Sequence, residues 1–165
     1  MDAFRLTDSF ARELERKGSI TIIFEAIQLI KDKLFIVSCT KKKIWDILVS
    51  PKFVPAKDAY IGDHFKKWLR SESSKKYPWL VFSSKYGLIE PDHPIRNYDI
   101  ELGREGSISE KTLLGQIIYH DFGFKVKDFK EVYFVGSLNY YNKLKEIFKC
   151  AGIDLKFHSE NPNAM

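Results

Sequence analysis

The chain reads as an α/β protein: a single domain with a mainly parallel central sheet of about four strands flanked by helices. Three observations predict it. Apolar runs such as LFIV at 34–37, WLVF at 79–82 and VYFV at 132–135 are too continuous for strands with one wet face and suit strands buried on both sides. Segments with helical spacing separate these runs, so strand and helix alternate and right-handed crossovers are expected. Finally, 165 residues without repeats or a linker fit one domain, 1–165, large enough to bury its own core.

In order along the chain, residues 1–33 read as a helical N-terminal extension. Thr7 or Asp8 caps a first helix with Phe10, Ala11 and Leu14 on one face and Gly18 at its end. Ser19 then caps Ile20–Ile30, whose apolar positions 20, 23, 24, 27 and 30 follow helical spacing, though its β-branched start also allows a strand. Two helices meeting at a glycine suggest helix-turn-helix, but the second is too apolar to face DNA. The strand from Leu34 follows, then a connection through Pro51 and Pro55. Asp58 opens a helix to about Ser71 with Tyr60, Ile61, His64, Phe65, Trp68 and Leu69 as its buried stripe, on which His64 reads as a satisfied core histidine.

Tyr77–Lys85 is the second strand, with Pro78 tolerable at its start. Tyr86–Pro91 reads as a tight turn, and residues 91–106 as a loop held open by Pro91 and Pro94. Ser107 or Ser109 begins a helix through Leu113, Leu114, Ile117, Ile118 and Tyr119. Glu131–Gly136 is a third strand, and Ser137 or Asn139 caps a helix to Cys150 that Gly152 ends. Ile153–Phe157 is a fourth strand, and 159–165 a frayed tail.

Composition narrows the function classes. A hydrophobic fraction of 44% with 30% charged residues indicates a soluble globular protein. No apolar stretch reaches the ~20 residues of a membrane helix, and the N-terminus lacks the apolar core of a secretory signal, so no membrane partner and a cytoplasmic location are expected. Two cysteines, Cys39 and Cys150, make no disulfide framework or zinc pattern, and the four histidines show no metal spacing; neither metal nor cofactor is expected. The net charge is +5, yet residues 41–85 hold eleven basic and four acidic groups, a local +7. That excess fits a nucleic-acid or nucleotide partner. It equally fits a solvated lysine-rich surface. Nothing in the composition sets an oligomeric state.

Three strands end alike: Ser38-Cys-Thr-Lys, Ser83-Ser-Lys-Tyr-Gly and Gly136-Ser-Leu-Asn. In a parallel sheet these ends share one edge, where ligands collect. Hydroxyls, free backbone N–H groups and helix N-termini suit an anion there, so Ser38, Thr40, Lys41, Lys42, Ser83, Ser84, Lys85, Gly87, Gly136 and Ser137 form a candidate phosphate site. Serine and glycine are also ordinary caps and turn formers. P-loop, dinucleotide and nucleophile-elbow motifs are all missing from the chain. Asp99, in the loop, is the acid–base candidate and Glu101 a weaker one. Cys39, beside lysines, is a candidate nucleophile or a small buried cysteine. Tyr60, Tyr86 and Tyr98 are candidates for stacking on a base or for covering the core.

The order Ser38-Cys-Thr-Lys-Lys, Ala56-Lys-Asp-Ala-Tyr60, Ser83-Ser-Lys-Tyr-Gly-Leu-Ile-Glu-Pro91 and Ile95-Arg-Asn-Tyr-Asp99 resembles an uncharacterised bacterial, phage and archaeal domain family with the patterns SCSKxK, AxxLY, SAKxGLLxPD and PYD. The resemblance spans roughly residues 34–102; Thr40, Ala59 and Ser84 depart from it. A domain of archaeosine synthases has a similar strand-end cysteine and YD pairing, and the peroxide-stress DNA-binding family is more distantly similar. What the resemblance implies is DNA or tRNA modification, with 7-deazaguanine chemistry as one neighbourhood. Two expectations result: an enzyme acting on a nucleotide or nucleic-acid base, by modification or glycosidic-bond chemistry, or a non-catalytic DNA- or RNA-binding protein using the basic 41–85 region.

Overall fold

The computed structural model describes residues 31–158. The expected N-terminal helices and the tail lie outside the described residues.

The strands are β1 (Lys33–Ser38), β2 (Val54–Pro55), β3 (Trp79–Ser83), β4 (Gly87–Ile89), β5 (Pro94–Ile95), β6 (Glu131–Val135) and β7 (Leu155–Phe157). The α-helices are α1 (Ala56–Ala59), α2 (Asp63–Arg70), α3 (Glu72–Lys76), α4 (Glu110–Tyr119) and α5 (Leu138–Cys150). The main sheet has five strands in the order β4-β3-β1-β6-β7, and β2 pairs with β5 in a small ribbon. Within the main sheet β3, β1, β6 and β7 run parallel, and only β4 is antiparallel to its neighbour. The sheet is therefore mainly parallel, as the apolar runs require.

Burial on both faces follows from the two-residue period of a strand. Leu34 and Ile36 of β1, Leu80 and Phe82 of β3, and Val132 and Phe134 of β6 enter one core, where Leu113 and Ile117 of α4 and Leu144 and Phe148 of α5 cover them. The intervening Phe35, Val37, Val81 and Val135 enter a second core with Ala56, Ala59, Tyr60, Phe65, Trp68, Ile95 and Tyr98. Long helices close the first core; short helices and loops close the second.

Two helix starts match expectation. Ser109 caps α4 by accepting from the Thr112 N–H, and Ser137 caps α5 by accepting from the Tyr140 N–H. Gly152, at φ +78°, follows the end of α5 in the left-handed conformation that suits glycine.

Two elements differ from expectation. The helix expected from Asp58 to Ser71 is broken at Tyr60–Gly62. Tyr60 is extended and bridges Lys43, while the Ile61 N–H donates to the Lys42 carbonyl, so this stretch pairs with the β1 exit loop. Of its expected stripe, Tyr60, Phe65 and Trp68 are buried but Leu69 is 36% exposed. The expected turn at Tyr86–Pro91 instead contains β4, whose register sets Val81 against Ile89 and Ser83 against Gly87. Gly87 has φ +76°, and a side chain there would collide with Gln116 and Ile108. The Gln116 side chain accepts from the Leu88 N–H and donates to the Tyr86 carbonyl, fixing this edge against α4.

Candidate functional site

The C-terminal ends of β1 and β6 and the Ser83–Ser84 end of β3 open on a cleft of about 650 Å³. Besides Ser84, its lining falls into three groups: the β1 exit from Ser38 to Lys43, the Asp99–Leu102 segment, and the helix starts at Gly62–His64 and at Ser137, Asn139, Tyr140 and Lys143. Two helix N-termini, those of α2 and α5, therefore open on one cavity and favour negative charge there. No helix among the described residues is long and apolar enough to cross a membrane, and no group of His, Cys, Asp and Glu among them could hold a metal ion.

The segment 98–102 is a strap outside any helix or strand, fixed at every second residue. The Tyr98 hydroxyl accepts from Ser83 Oγ at 2.8 Å and shares a hydrogen bond with the Tyr60 hydroxyl. The Ile100 carbonyl accepts from Ser84 Oγ. The Leu102 N–H donates to the Tyr140 hydroxyl at 3.1 Å. Tyr98 is buried, and Ile100 and Leu102 pack on the two cores. With 98, 100 and 102 anchored, the two residues between them, Asp99 and Glu101, are exposed and line the cleft. Burial pushes both the Tyr98 and Tyr60 phenols well above their usual range, so each stays protonated. Burial also raises Tyr140.

The floor is built on close approaches. At Gly136 an added Cβ would lie 2.6 Å from the Ser38 Cβ, so β6 passes β1 there only as glycine. A Cβ at Gly62 would meet the Thr40 side chain at 2.6 Å. The Gly62 N–H donates to Thr40 Oγ1, which itself donates to the Lys42 carbonyl. His64 donates from Nε2 to the Ser38 carbonyl at 2.8 Å. The histidine is satisfied, as expected, but half-buried at the cleft rather than in the core.

Among the residues expected at the site, Ser38, Cys39, Thr40, Lys41, Lys42, Ser84, Asp99 and Ser137 line the cleft. Cys39 is half-buried, with Sγ 3.9 Å from Ser84 Oγ. Tyr60, Ser83, Gly87, Tyr98, Gly136 and Lys85 do not line it. Tyr60 and Tyr98 are core residues at 1% and 7% exposure, so their rings are not offered to a base. Ser83 is fully buried beneath Tyr98 and also accepts from the Lys85 and Tyr86 N–H groups. Gly87 and Gly136 are required by packing. Lys85 is exposed, and its Nζ sits 5.2 Å above the Tyr86 ring. Thr40, Ser83, Ser84 and Ser137 all commit their hydroxyls to the backbone or to Tyr98. Ser38 alone of the expected hydroxyl groups makes no side-chain hydrogen bond within the described residues.

The basic excess of 41–85 also divides. Lys41, Lys42 and Lys43 line the cleft. Lys67 and Arg70 of α2 and Lys75 and Lys76 of α3 lie in the last turns of their helices, where the dipole favours cations. Lys57 pairs with Asp92 at 2.7 Å, which raises its pKa.

Asp63, His64, Ile100, Leu102, Tyr140 and Lys143 line the cleft without being expected there from the sequence, whereas Lys43 stands with Lys41 and Lys42 at the β1 exit, as the lysine run implies. The alternation Tyr98-Asp-Ile-Glu-Leu102 was the signal for the strap, hidden inside a segment read as loop.

A model described as "Family of unknown function (DUF6884)" matches residues 34–161. The chain is 30% identical over 118 residues to a Bacillus subtilis (strain 168) protein described as "Uncharacterized protein YfjM", covering 70% of this chain and 76% of that protein. No solved structure matches. The chain belongs to this family of unknown function, and the expected membership of an uncharacterised domain family holds.

Proposed function

We propose that this member of a family of unknown function is an enzyme of nucleotide or nucleic-acid metabolism, performing acid–base chemistry on the base or the glycosidic bond of a phosphate-bearing nucleotide held in the strand-end cleft. The observation that carries this reading is the strap: alternate anchoring presents Asp99 and Glu101 to the same cleft as Lys41, Lys42, Lys43 and Lys143. Two fixed carboxylates repel a phosphate, so they are a liability in a pure phosphate grip. They are useful where a sugar hydroxyl must be oriented or a proton moved.

In this reading the lysines, with the α5 N-terminus, hold phosphate. Asp99 is the general acid–base, and Glu101 orients a hydroxyl or ring N–H. Ser38 supplies a free hydroxyl at the floor, and Cys39 adjoins it as a second reactive group. The motif resemblance to a domain of archaeosine synthases and, more distantly, to the peroxide-stress DNA-binding family supports base modification as the neighbourhood. Free Cys39 and Cys150 fit a reducing, cytoplasmic setting.

The test incubates wild type and Asp99→Asn with nucleoside 5′-monophosphates, tRNA and DNA and follows base release or alteration by chromatography. Asp99→Asn is expected to retain binding and to lose turnover by about 100-fold or more. Equal turnover by the two proteins, or no turnover of any of these substrates by wild type, contradicts the reading. The exposure of Lys41 and Lys42 favours, as second reading, a non-catalytic nucleic-acid-binding protein. That protein would bind polymers only, with affinity falling steeply as salt rises.

A further inference from the structure

Lys43 is 5% exposed, the one lysine or arginine among the described residues buried to this degree, yet it lines the cleft. Its backbone is held on both sides: the N–H donates to Asp46 Oδ2 at 2.9 Å, and the residue bridges Tyr60. The side chain is turned inward, with Nζ 4.6 Å above the Tyr98 ring and donating to the Lys41 carbonyl at 3.4 Å. No carboxylate among the described residues lies within ion-pair distance of it.

An ammonium has three donors. Here one makes a long hydrogen bond and the ring face accepts part of the charge. Little of the residue is left to water and no counter-ion faces it among the described residues, an arrangement that is costly for a cation. What completes such a site is an anion with several acceptor oxygens, entering from the cleft.

We propose that Lys43 is the seat of a terminal phosphate monoester, so that the ligand is a nucleotide with its own end phosphate rather than an internal phosphodiester of a polymer. This rests on the reading that the cleft holds a nucleotide. A monoester brings three terminal oxygens and close to two charges at neutral pH; a diester brings two oxygens and one charge. An internal diester also carries chain on both sides, which a cleft of about 650 Å³ must take in before the phosphate can reach a recessed ammonium. Lys41 and Lys42, exposed beside it, meet an incoming phosphate in water, where a pair contributes little.

Calorimetry with nucleoside 5′-monophosphates of the common bases, their methyl phosphodiesters and the parent nucleosides tests this on wild type, Lys43→Met and Lys41→Ala/Lys42→Ala. Wild type is expected to bind a monoester at least about 10-fold more tightly than its diester, the scale of one charged hydrogen bond. The preference should shrink as pH falls through about 6, where the monoester loses its second charge. Lys43→Met should lower monoester affinity at least about 10-fold and leave nucleoside affinity unchanged, whereas the double variant should lose less than about 5-fold. Equal affinity for monoester and diester in wild type overturns the inference without any variant, as does unchanged monoester affinity in folded Lys43→Met. Binding of nucleosides and diesters with no monoester preference removes the Lys43 assignment alone. Silence from all three ligands removes the nucleotide reading with it.

Discussion

The two faces of the sheet are built from different materials. One is closed by α4 and α5, regular helices with capped starts, over a core of aliphatic residues and phenylalanines. The other is closed by α1, α2 and a strap, over a core that includes Trp68 and two tyrosines, Tyr60 and Tyr98, whose hydroxyls are joined to each other and to Ser83 by hydrogen bonds. The first face supplies stability through burial of apolar area. The second holds polar groups at fixed positions beside a cleft, and its regularity is broken where the cleft lies, at Tyr60–Gly62 and Tyr98–Leu102. In this fold the irregular layer is the one that supplies most of the cleft lining.

If the division holds, the largest effects come from the helical face and leave the cleft intact. Leu144, fully buried on α5, should cost about 2–5 kcal/mol as Leu144→Ala and Phe148→Ala about 3–5, read by denaturant unfolding. The folded fraction of either variant should keep wild-type ligand affinity; a loss of affinity matching the loss of stability breaks the comparison.

Gly136→Ala strikes where the two strand ends meet. With the Ser38 Cβ 2.6 Å from the new methyl, about 1–3 kcal/mol should be lost, together with ligand binding at the β1 exit. Tyr98→Phe sharpens the claim about the strap. It removes the hydroxyl that links Ser83 and Tyr60, costs about 1–2 kcal/mol, and should raise hydrogen exchange at Ile100 and Leu102 more than at α5.

The smallest effect lies at the opposite end of the sheet. The Tyr133 hydroxyl donates to Glu131, which lowers the Glu131 pKa and, chiefly through that bond, pushes the Tyr133 pKa up to about 12. A raised phenol favours the native state below its unfolded value near 10. That contribution is lost between about pH 10 and about 12. The lowered carboxylate contributes fully above its usual range, and that contribution is lost as pH falls from there through the lowered native value. A tyrosinate absorbance titration should place one tyrosine near 12, and Glu131→Gln should bring it down; no change would remove the assignment.

The regular face was legible because its signals are local. Ser137 and Ser109 cap helices, Gly152 ends one, and the runs at 34, 79 and 132 give β1, β3 and β6 within a residue or two. The convergence of the strand ends was legible too, since parallel strands force it. The strap and the helix break were not. Positions 60, 61, 64, 65, 68 and 69 keep helical spacing straight through the break, which is set by pairing between Tyr60 and Lys43, residues distant in sequence. β4 was hidden for a similar reason: three residues at a glycine with positive φ look like a turn until Val81 pairs with Ile89. Serine and threonine at strand ends were identified as site residues, but most of their hydroxyls build the floor. The side chains left for a ligand are Ser38, the cleft lysines, Asp99 and Glu101, and among the lysines Lys43 is set apart by its burial, a quantity no single sequence states.

Backbone amide shift mapping by NMR during titration with nucleoside 5′-monophosphates tests the central claim most directly. The account predicts shifts concentrated at residues 38–43, 62–64, 99–102 and 137–140, the rim of one cleft drawn from four separate stretches. Shifts confined to the basic helical stretch at 66–76, or spread over α4, or none at all, would contradict it.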